Sequence, residues 1–162
     1  MRIVVATVLM ICLGAVLTVG CSTRLVQGEY ACVKRGTCSL PEVAEADSAL
    51  IYVIRGSRLF NQDEKQYLYV SEHPGQEELF LSYITDSRYC VIRSGSPAIT
   101  VRAVGALNED RVDLVLQQGN VYYLLLDTSA SIFSTKLRIS LGQVSRESGE
   151  SYLMKDVAGP CG

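Results

Sequence analysis

Histidine and cysteine are the side chains of this sequence with the most versatile chemistry, and both are few. His73 is the only histidine among 162 residues, and the chain has six cysteines. A Ser-His-Asp triad would have to use His73, which lies in "SEHPG", where Pro74 and Gly75 predict a turn. No G-x-S-x-G nucleophile elbow accompanies it. We therefore expect an exposed loop histidine and no catalytic residue in the chain.

Acidic side chains could act as general acids and bases or bind calcium, but they are scattered over predicted turns. The candidates are Glu72, Glu77, Glu78, Glu109 and Asp110. A calcium ion could use Asn108, Glu109 and Asp110, but the twelve-residue calcium-loop pattern is absent. Cys-x-x-Cys, Walker and dinucleotide-binding motifs are also absent. The sequence predicts a protein that is not an enzyme and has no cofactor or metal.

The N-terminus is an uncharged apolar run over residues 3–19, preceded by the single positive charge of Arg2. This is the layout of a secretory signal. The run is roughly 17 residues long, near the lower limit for a spanning helix, which needs ~20. It ends on small residues and Cys21. We predict a signal peptide over residues 1–20; the alternatives are an ordinary signal with an incidental Cys21 and an uncleaved anchor helix.

The stretch "LTVGC", residues 17–21, resembles a bacterial lipobox. The resemblance implies that Cys21 is lipidated and becomes the first residue of the mature chain. Acyl chains such as palmitate would then hold the protein to a membrane, at about 0.8 kcal/mol per buried methylene. Ser22, rather than aspartate, follows the cysteine, which resembles the sorting rule for Gram-negative outer-membrane lipoproteins. The resemblance implies a lipid anchor on the periplasmic face of the outer membrane.

Four cysteines remain for disulfide bonds, because Cys12 would leave with the signal and Cys21 would carry lipid. They are Cys32, Cys38, Cys90 and Cys161, an even number in an exported chain, and they allow three connectivities. The loop "CVKRGTC" favours pairing its two cysteines, which leaves Cys90 for Cys161. A zinc site is the alternative, but Cys-x5-Cys is not a usual ligand spacing. A free buried thiol at Cys90 is a second alternative.

The charge of the chain gives no indication of nucleic-acid binding. Lysine and arginine together number 15, and aspartate and glutamate 17. Only Arg2 would leave with the signal peptide, so the mature chain has a net charge of about −3 and no basic run.

The remaining chain divides into a polar segment and one domain. Residues 21–48 read as a lipidated tether, residues 49–157 as a single domain and residues 158–162 as a tail. Within the domain, apolar and β-branched runs recur every eight to twelve residues between turn signals, which predicts an all-β antiparallel sandwich. The runs are "ALIYVIR", "QYLYV", "ELFLSYI", "RYCVIR", "AITVRAV", "RVDLVL", "VYYLLLD" and "KLRISLGQV".

Alternation and turn signals predict how some of these strands are placed. In "AITVRAV", Ile99, Val101 and Ala103 should share the buried face. The stretch "DRVDLVLQQGNVYYLLLD" reads as a hairpin with "QQGN" as its turn, and "VYYLLL" as a strand covered on both faces or an edge covered by the tail. A helix could lie in "SRESGESYLMKD", capped by Ser148 or Ser151, although Gly149 disfavours its first part.

The domain also resembles the lipoprotein family called domain of unknown function 2846, over roughly residues 49–156. The stretches that carry the resemblance are "ALIYVIR", "SRYCVIRSGSPAITVRA" and "LQQGNVYYLLL". The last has a glycine shortly before a tyrosine pair and an apolar strand. The resemblance implies a prealbumin-like β-sandwich, and the family has no agreed activity to carry over.

Tyrosines are the residues of this domain best suited to recognition. Tyr67 and Tyr69 lie two positions apart in one strand, so they share a face and could form an exposed binding stripe. The alternative is that they pack in the core or across strands. Tyr122 and Tyr123 are adjacent, so they must point to opposite faces.

These observations predict a non-enzymatic binding or structural module of the cell envelope, held by an N-terminal lipid. Its partner would be an envelope protein or glycan, bound through a sheet edge or long loops. The alternatives are a hydrolase acting on envelope material and an accessory lipoprotein of a secretion or surface-appendage system.

Overall fold

The computed structural model describes residues 23–26, 46–56, 63–72, 76–131, 134–155 and 159–160. The strands are β1 (Thr23–Val26), β2 (Ala49–Arg55), β3 (Gln66–Ser71), β4 (Leu79–Ile84), β5 (Arg88–Ser94), β6 (Ala98–Val104), β7 (Glu109–Val115), β8 (Val121–Ser131), β9 (Ser134–Val144) and β10 (Gly159–Pro160). One helix, α1 (Arg146–Lys155), follows β9. Each of the eight runs predicted from the sequence overlaps one strand from β2 to β9.

The strands form two sheets. The six-stranded sheet has the order β1-β5-β2-β8-β9, and β10 also pairs with β5; the four-stranded sheet has the order β4-β3-β6-β7. All pairings in the four-stranded sheet are antiparallel. In the six-stranded sheet, β2 pairs parallel with β8 and β10 parallel with β5. The predicted all-β sandwich is confirmed, with these two parallel pairs added to a mainly antiparallel fold.

The central core lies between the two sheets. Ile99, Val101 and Ala103 of β6 all belong to it, as their alternation predicted. Other strands contribute Ile51, Val53, Leu68, Val70, Ile92, Leu124 and Leu141. Burying a side chain of this size contributes about 1.5–3 kcal/mol relative to exposure. This core therefore determines which side chains of the four-stranded sheet point outwards.

A second apolar cluster covers the outer face of the six-stranded sheet. Leu50 and Tyr52 of β2 pack there with Tyr123 of β8 and Leu153 of α1. The Tyr52 and Tyr123 rings are stacked, with their centroids 5.4 Å apart. Strands β2 and β8 are thus buried on both faces, which confirms that "VYYLLL" is covered on both sides. Tyr122 packs against the central core and Tyr123 on the opposite face, as adjacent strand residues must.

Helix α1 is longer at its start than the sequence suggested. Its N-terminal cap is Ser145, whose Oγ accepts a hydrogen bond from the backbone N–H of Ser148 at 3.2 Å, so the predicted caps Ser148 and Ser151 are wrong. Gly149 lies inside the helix, where a Cβ atom would come within 2.3 Å of Tyr123 Cγ. Packing against Tyr123 requires this glycine and outweighs its low helix propensity. No helix in the described ranges has the length and hydrophobicity to span a membrane.

The predicted hairpin between β7 and β8 is wrong, because the two strands belong to different sheets. "QQGN" does form a turn, and Gly119 has a φ of 79° there. Beyond it, the backbone N–H of Leu50 donates to Asn120 O at 3.0 Å, and β8 continues beside β2. The chain therefore crosses from the four-stranded to the six-stranded sheet. Strand alternation shows which face is buried but not which sheet a strand joins.

Candidate functional site

The outer face of the four-stranded sheet carries a group of exposed aromatic side chains. Tyr67 and Tyr69 of β3 both point outwards, and Tyr67 is 43% exposed. Phe80 of β4 lies beside both tyrosines and is 50% exposed. Its ring centroid is 5.5 Å from that of Tyr69 and 6.3 Å from that of Tyr67. We call Tyr67, Tyr69 and Phe80 the aromatic face.

A β-bulge brings Phe80 into this face. Leu68 pairs with Ser82, and the next pair is Tyr69 with Phe80, so the register between β3 and β4 shifts by one residue at this point. Without the shift, Leu81 would stand opposite Tyr69. Leu81 instead packs against the central core. Simple alternation does not reveal a bulge, so the sequence did not predict that Phe80 belongs to this face.

Arg102 on the neighbouring strand β6 connects the aromatic face to a charged area. Its guanidinium carbon lies 4.6 Å from the centroid of the Tyr69 ring, a cation–π contact. Its Nε donates to Glu78 Oε2 at 2.8 Å and its Nη1 to Glu109 Oε2 at 2.7 Å. The hydrogen bond to Glu78, followed by that to Glu109, raises the pKa of Arg102 above its ordinary value. The arginine is therefore a fixed, charged border of the aromatic face.

The outer face of the four-stranded sheet is aromatic over β3 and β4 and polar over β6 and β7. Tyr83 of β4 lies opposite Tyr67, and Lys65 Nζ is 4.1 Å from the Tyr83 ring centroid. Further along, the Thr100 hydroxyl donates to Asp113 Oδ1 at 2.6 Å. This outer surface therefore combines flat apolar rings with fixed polar groups.

The two sheet edges near β7 and β4 differ in how they are covered. Strand β9 of the other sheet approaches β7. Asn108, just before β7, donates from Nδ2 to Ile139 O of β9 at 2.8 Å, and its Oδ1 accepts from Ile139 N at 2.9 Å. Asp110 Oδ2 accepts from Leu141 N at 2.8 Å. Asn108 and Asp110 were calcium-ligand candidates in the sequence; in the structure they hydrogen-bond to backbone groups of the edge strand β9. On the other side, β4 pairs only with β3 in the described part of the chain, and its Leu79 is 58% exposed.

A buried polar cluster lies at one end of the sandwich. Arg55 is 1% exposed, its Nε lies 3.9 Å from Asp86 Oδ1, and its Nη1 donates to Ile84 O at 3.4 Å. Burial lowers the pKa of Arg55, opposed by the charges of Asp86 and Glu64. The side chain of Gln66 is fully buried beside β4, without a hydrogen-bond partner among the described residues. An arginine ending the apolar run "ALIYVIR" was the sequence signal for this cluster, which we did not predict.

Two of the acidic candidates are brought together by one arginine. Glu78 and Glu109 both accept hydrogen bonds from Arg102, whereas Asp110 accepts one from the backbone N–H of Leu141 in β9. Glu72 and Glu77 lie before β4, and His73 is outside the described residues. Within the described ranges, no group of three or more His, Cys, Asp or Glu side chains could hold a metal ion.

The predicted lipidation and disulfide residues are placed only in part. Cys21, Cys32, Cys38 and Cys161 lie outside the described residues. Cys90 in β5 is 1% exposed and is the one cysteine in the described ranges. Strand β10 pairs parallel with β5, with Pro160 opposite Tyr89.

Taken with the fold, this geometry defines a class of protein: a β-sandwich with an outward aromatic face that is bordered by fixed charges. Neither a protein-family model nor a curated protein matches the chain.

Proposed function

We propose that the chain is an outer-membrane lipoprotein that binds an envelope partner, a protein or glycan, through the aromatic face. In this proposal the signal peptide of residues 1–20 is removed and Cys21 carries the lipid on the periplasmic face. The support is the uncharged run that ends in "LTVGC". The protein acts as a non-enzymatic module of the cell envelope.

The observation that carries the proposal is the exposure of Tyr67 and Phe80 beside Tyr69. Large aromatic side chains usually contribute to a core. A contiguous group of exposed aromatic side chains is typical of an interaction site. Tyrosine is enriched in the residues that dominate binding energy, because it offers a large apolar area together with a hydroxyl. Aromatic rings also stack on the flat faces of partner groups.

The neighbouring polar groups favour recognition over catalysis. A general acid or base needs a carboxyl group that can exchange protons with a substrate. Glu78 and Glu109 are instead engaged in hydrogen bonds with Arg102. Strand β4, which pairs only with β3 among the described strands, lies beside the same face and could accept an added strand from a protein partner. Both features suit a binding surface.

Two disulfides belong to the same proposal, Cys90 with Cys161 and Cys32 with Cys38. For the first, the support is the register of β10, because Pro160 lies opposite Tyr89 and the next residues are Cys161 and Cys90. Adjacent strands place paired Cα atoms about 5 Å apart, within the range that a disulfide spans. The bond would fasten the C-terminal tail to a buried strand.

Membership of the domain of unknown function 2846 family remains a hypothesis.

The test is affinity capture of the tagged, lipidated protein after crosslinking in living cells. In the variant carrying Tyr67→Ala and Tyr69→Ala, we expect capture of the partner to fall at least roughly tenfold, since truncation of such anchors costs about 2 kcal/mol or more. Met154→Ala is the matched control, because Met154 is 39% exposed but lies on α1, which packs on the outer face of the other sheet. If the double variant captures as the parent does, and His73→Ala alone loses the cellular phenotype, a hydrolase replaces the binding module.

A further inference from the structure

Strand β1 begins at one end of the six-stranded sheet, very close in sequence to the proposed lipid site. Thr23 pairs with Ser94 of β5, and Ser94 pairs on its other side with Ala49, the first residue of β2. From Thr23 the strand runs into the sheet, so that Val26 pairs with Val91. The chain therefore enters the domain at this end.

Two turns lie at the same end, which we call the anchor end. The first spans residues 95–97 between β5 and β6, and the second spans residues 117–120 between β7 and β8. They are joined by the backbone hydrogen bond from Leu116 N to Pro97 O at 2.7 Å. The second turn also meets the start of β2, because Gly119 N donates to Ser48 O at 2.8 Å. The far end carries the turns at residues 85–87 and 105–108.

We infer that the anchor end rests on the membrane surface, an inference that depends on the proposed lipidation of Cys21. Cys21 precedes Thr23 by two positions, and two residues span at most about 7 Å even when fully extended. A thioether-linked lipid holds its cysteine at the level of the headgroups. The start of β1 is thus held within about 7 Å of the headgroups. At that distance the far end cannot be the end that faces the bilayer.

The two anchor-end turns carry no charged side chain: residues 94–98 read "SGSPA" and residues 116–120 read "LQQGN". The connection between β3 and β4 lies at the same end, because Ser71 of β3 pairs with Thr100 near the start of β6. Its described residues include Glu72, Glu77 and Glu78. Both ends of the sandwich therefore carry charge, and the orientation follows from the position of β1 alone.

This orientation also specifies where the partner lies. Strands β3 and β6 lead from one end of the sandwich to the other, and seven residues of strand cover about 23 Å. The outer face of the four-stranded sheet is therefore roughly perpendicular to the membrane surface. A partner bound to the aromatic face lies beside the protein rather than above it. A partner bound there must reach within that distance of the membrane surface, as a second membrane-bound protein or membrane-attached glycan does.

Tryptophan fluorescence can test the orientation, because the chain contains no tryptophan. Gln118→Trp places the probe on the exposed turn of the anchor end, and Leu107→Trp places it on an exposed turn of the far end. Each full-length lipidated variant is reconstituted into phosphatidylethanolamine–phosphatidylglycerol vesicles that carry a headgroup-attached nitroxide quencher. Circular dichroism verifies that both variants keep the parental fold.

We expect the nitroxide to quench the Gln118→Trp probe at least roughly twice as strongly as the Leu107→Trp probe, given the strand length between them. A flexible Gly/Ser spacer of about twelve residues after Ser22 should remove that difference while vesicle flotation persists. Equal quenching of the two probes in floating, spacer-free protein would overturn the orientation alone. Failure of the processed parent to float would overturn the proposed lipidation and the orientation with it.

Discussion

Gly149 of helix α1 lies directly against the ring of Tyr123 in β8, so closely that an added Cβ atom would lie 2.3 Å from Tyr123 Cγ. Contacts of this length do not occur between real Cβ atoms and a fixed ring. The helix therefore reaches the six-stranded sheet only because residue 149 has no side chain. In this way α1 closes the second apolar cluster.

This contact predicts a destabilising glycine substitution. Gly149→Ala should lower the free energy of unfolding by about 1–3 kcal/mol, because overpacking outweighs the roughly 1 kcal/mol gain in helix propensity. Gly142→Ala is the matched control, since no atom lies within 4 Å of its added Cβ. Urea unfolding of both variants measures the difference. A Gly149→Ala protein as stable as the control would show that α1 does not pack as described.

Tyr123 predicts a specific loss of stability in alkali. Burial, with a smaller contribution from Glu150, raises the pKa of Tyr123 to about 12. Because an unfolded tyrosine has a pKa of about 10, its neutral form stabilises the fold fully below that pH, and this stability is lost as the pH rises towards 12. The amount is on the order of 2–3 kcal/mol. Tyr123→Phe should lose less stability than the parent over this interval in urea unfolding; equal losses would contradict the assignment.

The proposed disulfide between Cys90 and Cys161 predicts a particular cross-linked peptide. Digestion without reduction should release a peptide that joins these two residues. Cys161→Ala should reduce the free energy of unfolding by about 2–5 kcal/mol. Replacing Cys32 and Cys38 together by alanine should leave that peptide unchanged. Recovery of Cys90 linked to either of those residues would require a different connectivity.

The proposed lipid anchor predicts the start of the mature chain. Mass spectrometry of the detergent-extracted protein should find a chain that begins at acylated Cys21. Cys21→Ala should accumulate as unprocessed precursor, because the thiol that accepts the lipid is missing. Cys12→Ala should leave the mature product unchanged. An intact Met1, or a mature terminus elsewhere without lipid, would refute the anchor.

The sequence predicted the strands and their buried faces well. In β6, Ile99, Val101 and Ala103 lie in the core as expected, because a period of two is a local property of the chain. The alternation of β3 likewise places Tyr67 and Tyr69 on one outward face. These predictions depend only on residues close in sequence.

What the sequence did not predict depends on contacts between distant segments. The β-bulge that brings Phe80 beside Tyr69 arises from the pairing of two strands, and neither strand shows it alone. The parallel pairing of β2 with β8 follows from a change of sheet after Leu116. Gly149 discouraged a helix locally, whereas Tyr123, 26 positions away, is the reason for it. Tertiary packing decided each of these features against the local signal.

The most direct test of binding through the aromatic face is site-specific photo-crosslinking in living cells. A photoreactive phenylalanine analogue at Phe80 keeps an aromatic ring between Tyr67 and Tyr69. The same analogue at Met154 probes an exposed position on α1, which packs on the outer face of the other sheet. We predict a discrete crosslinked product from position 80 that is absent from position 154. No product from position 80 in folded, lipidated protein, or the same product from both positions, would contradict the proposed function.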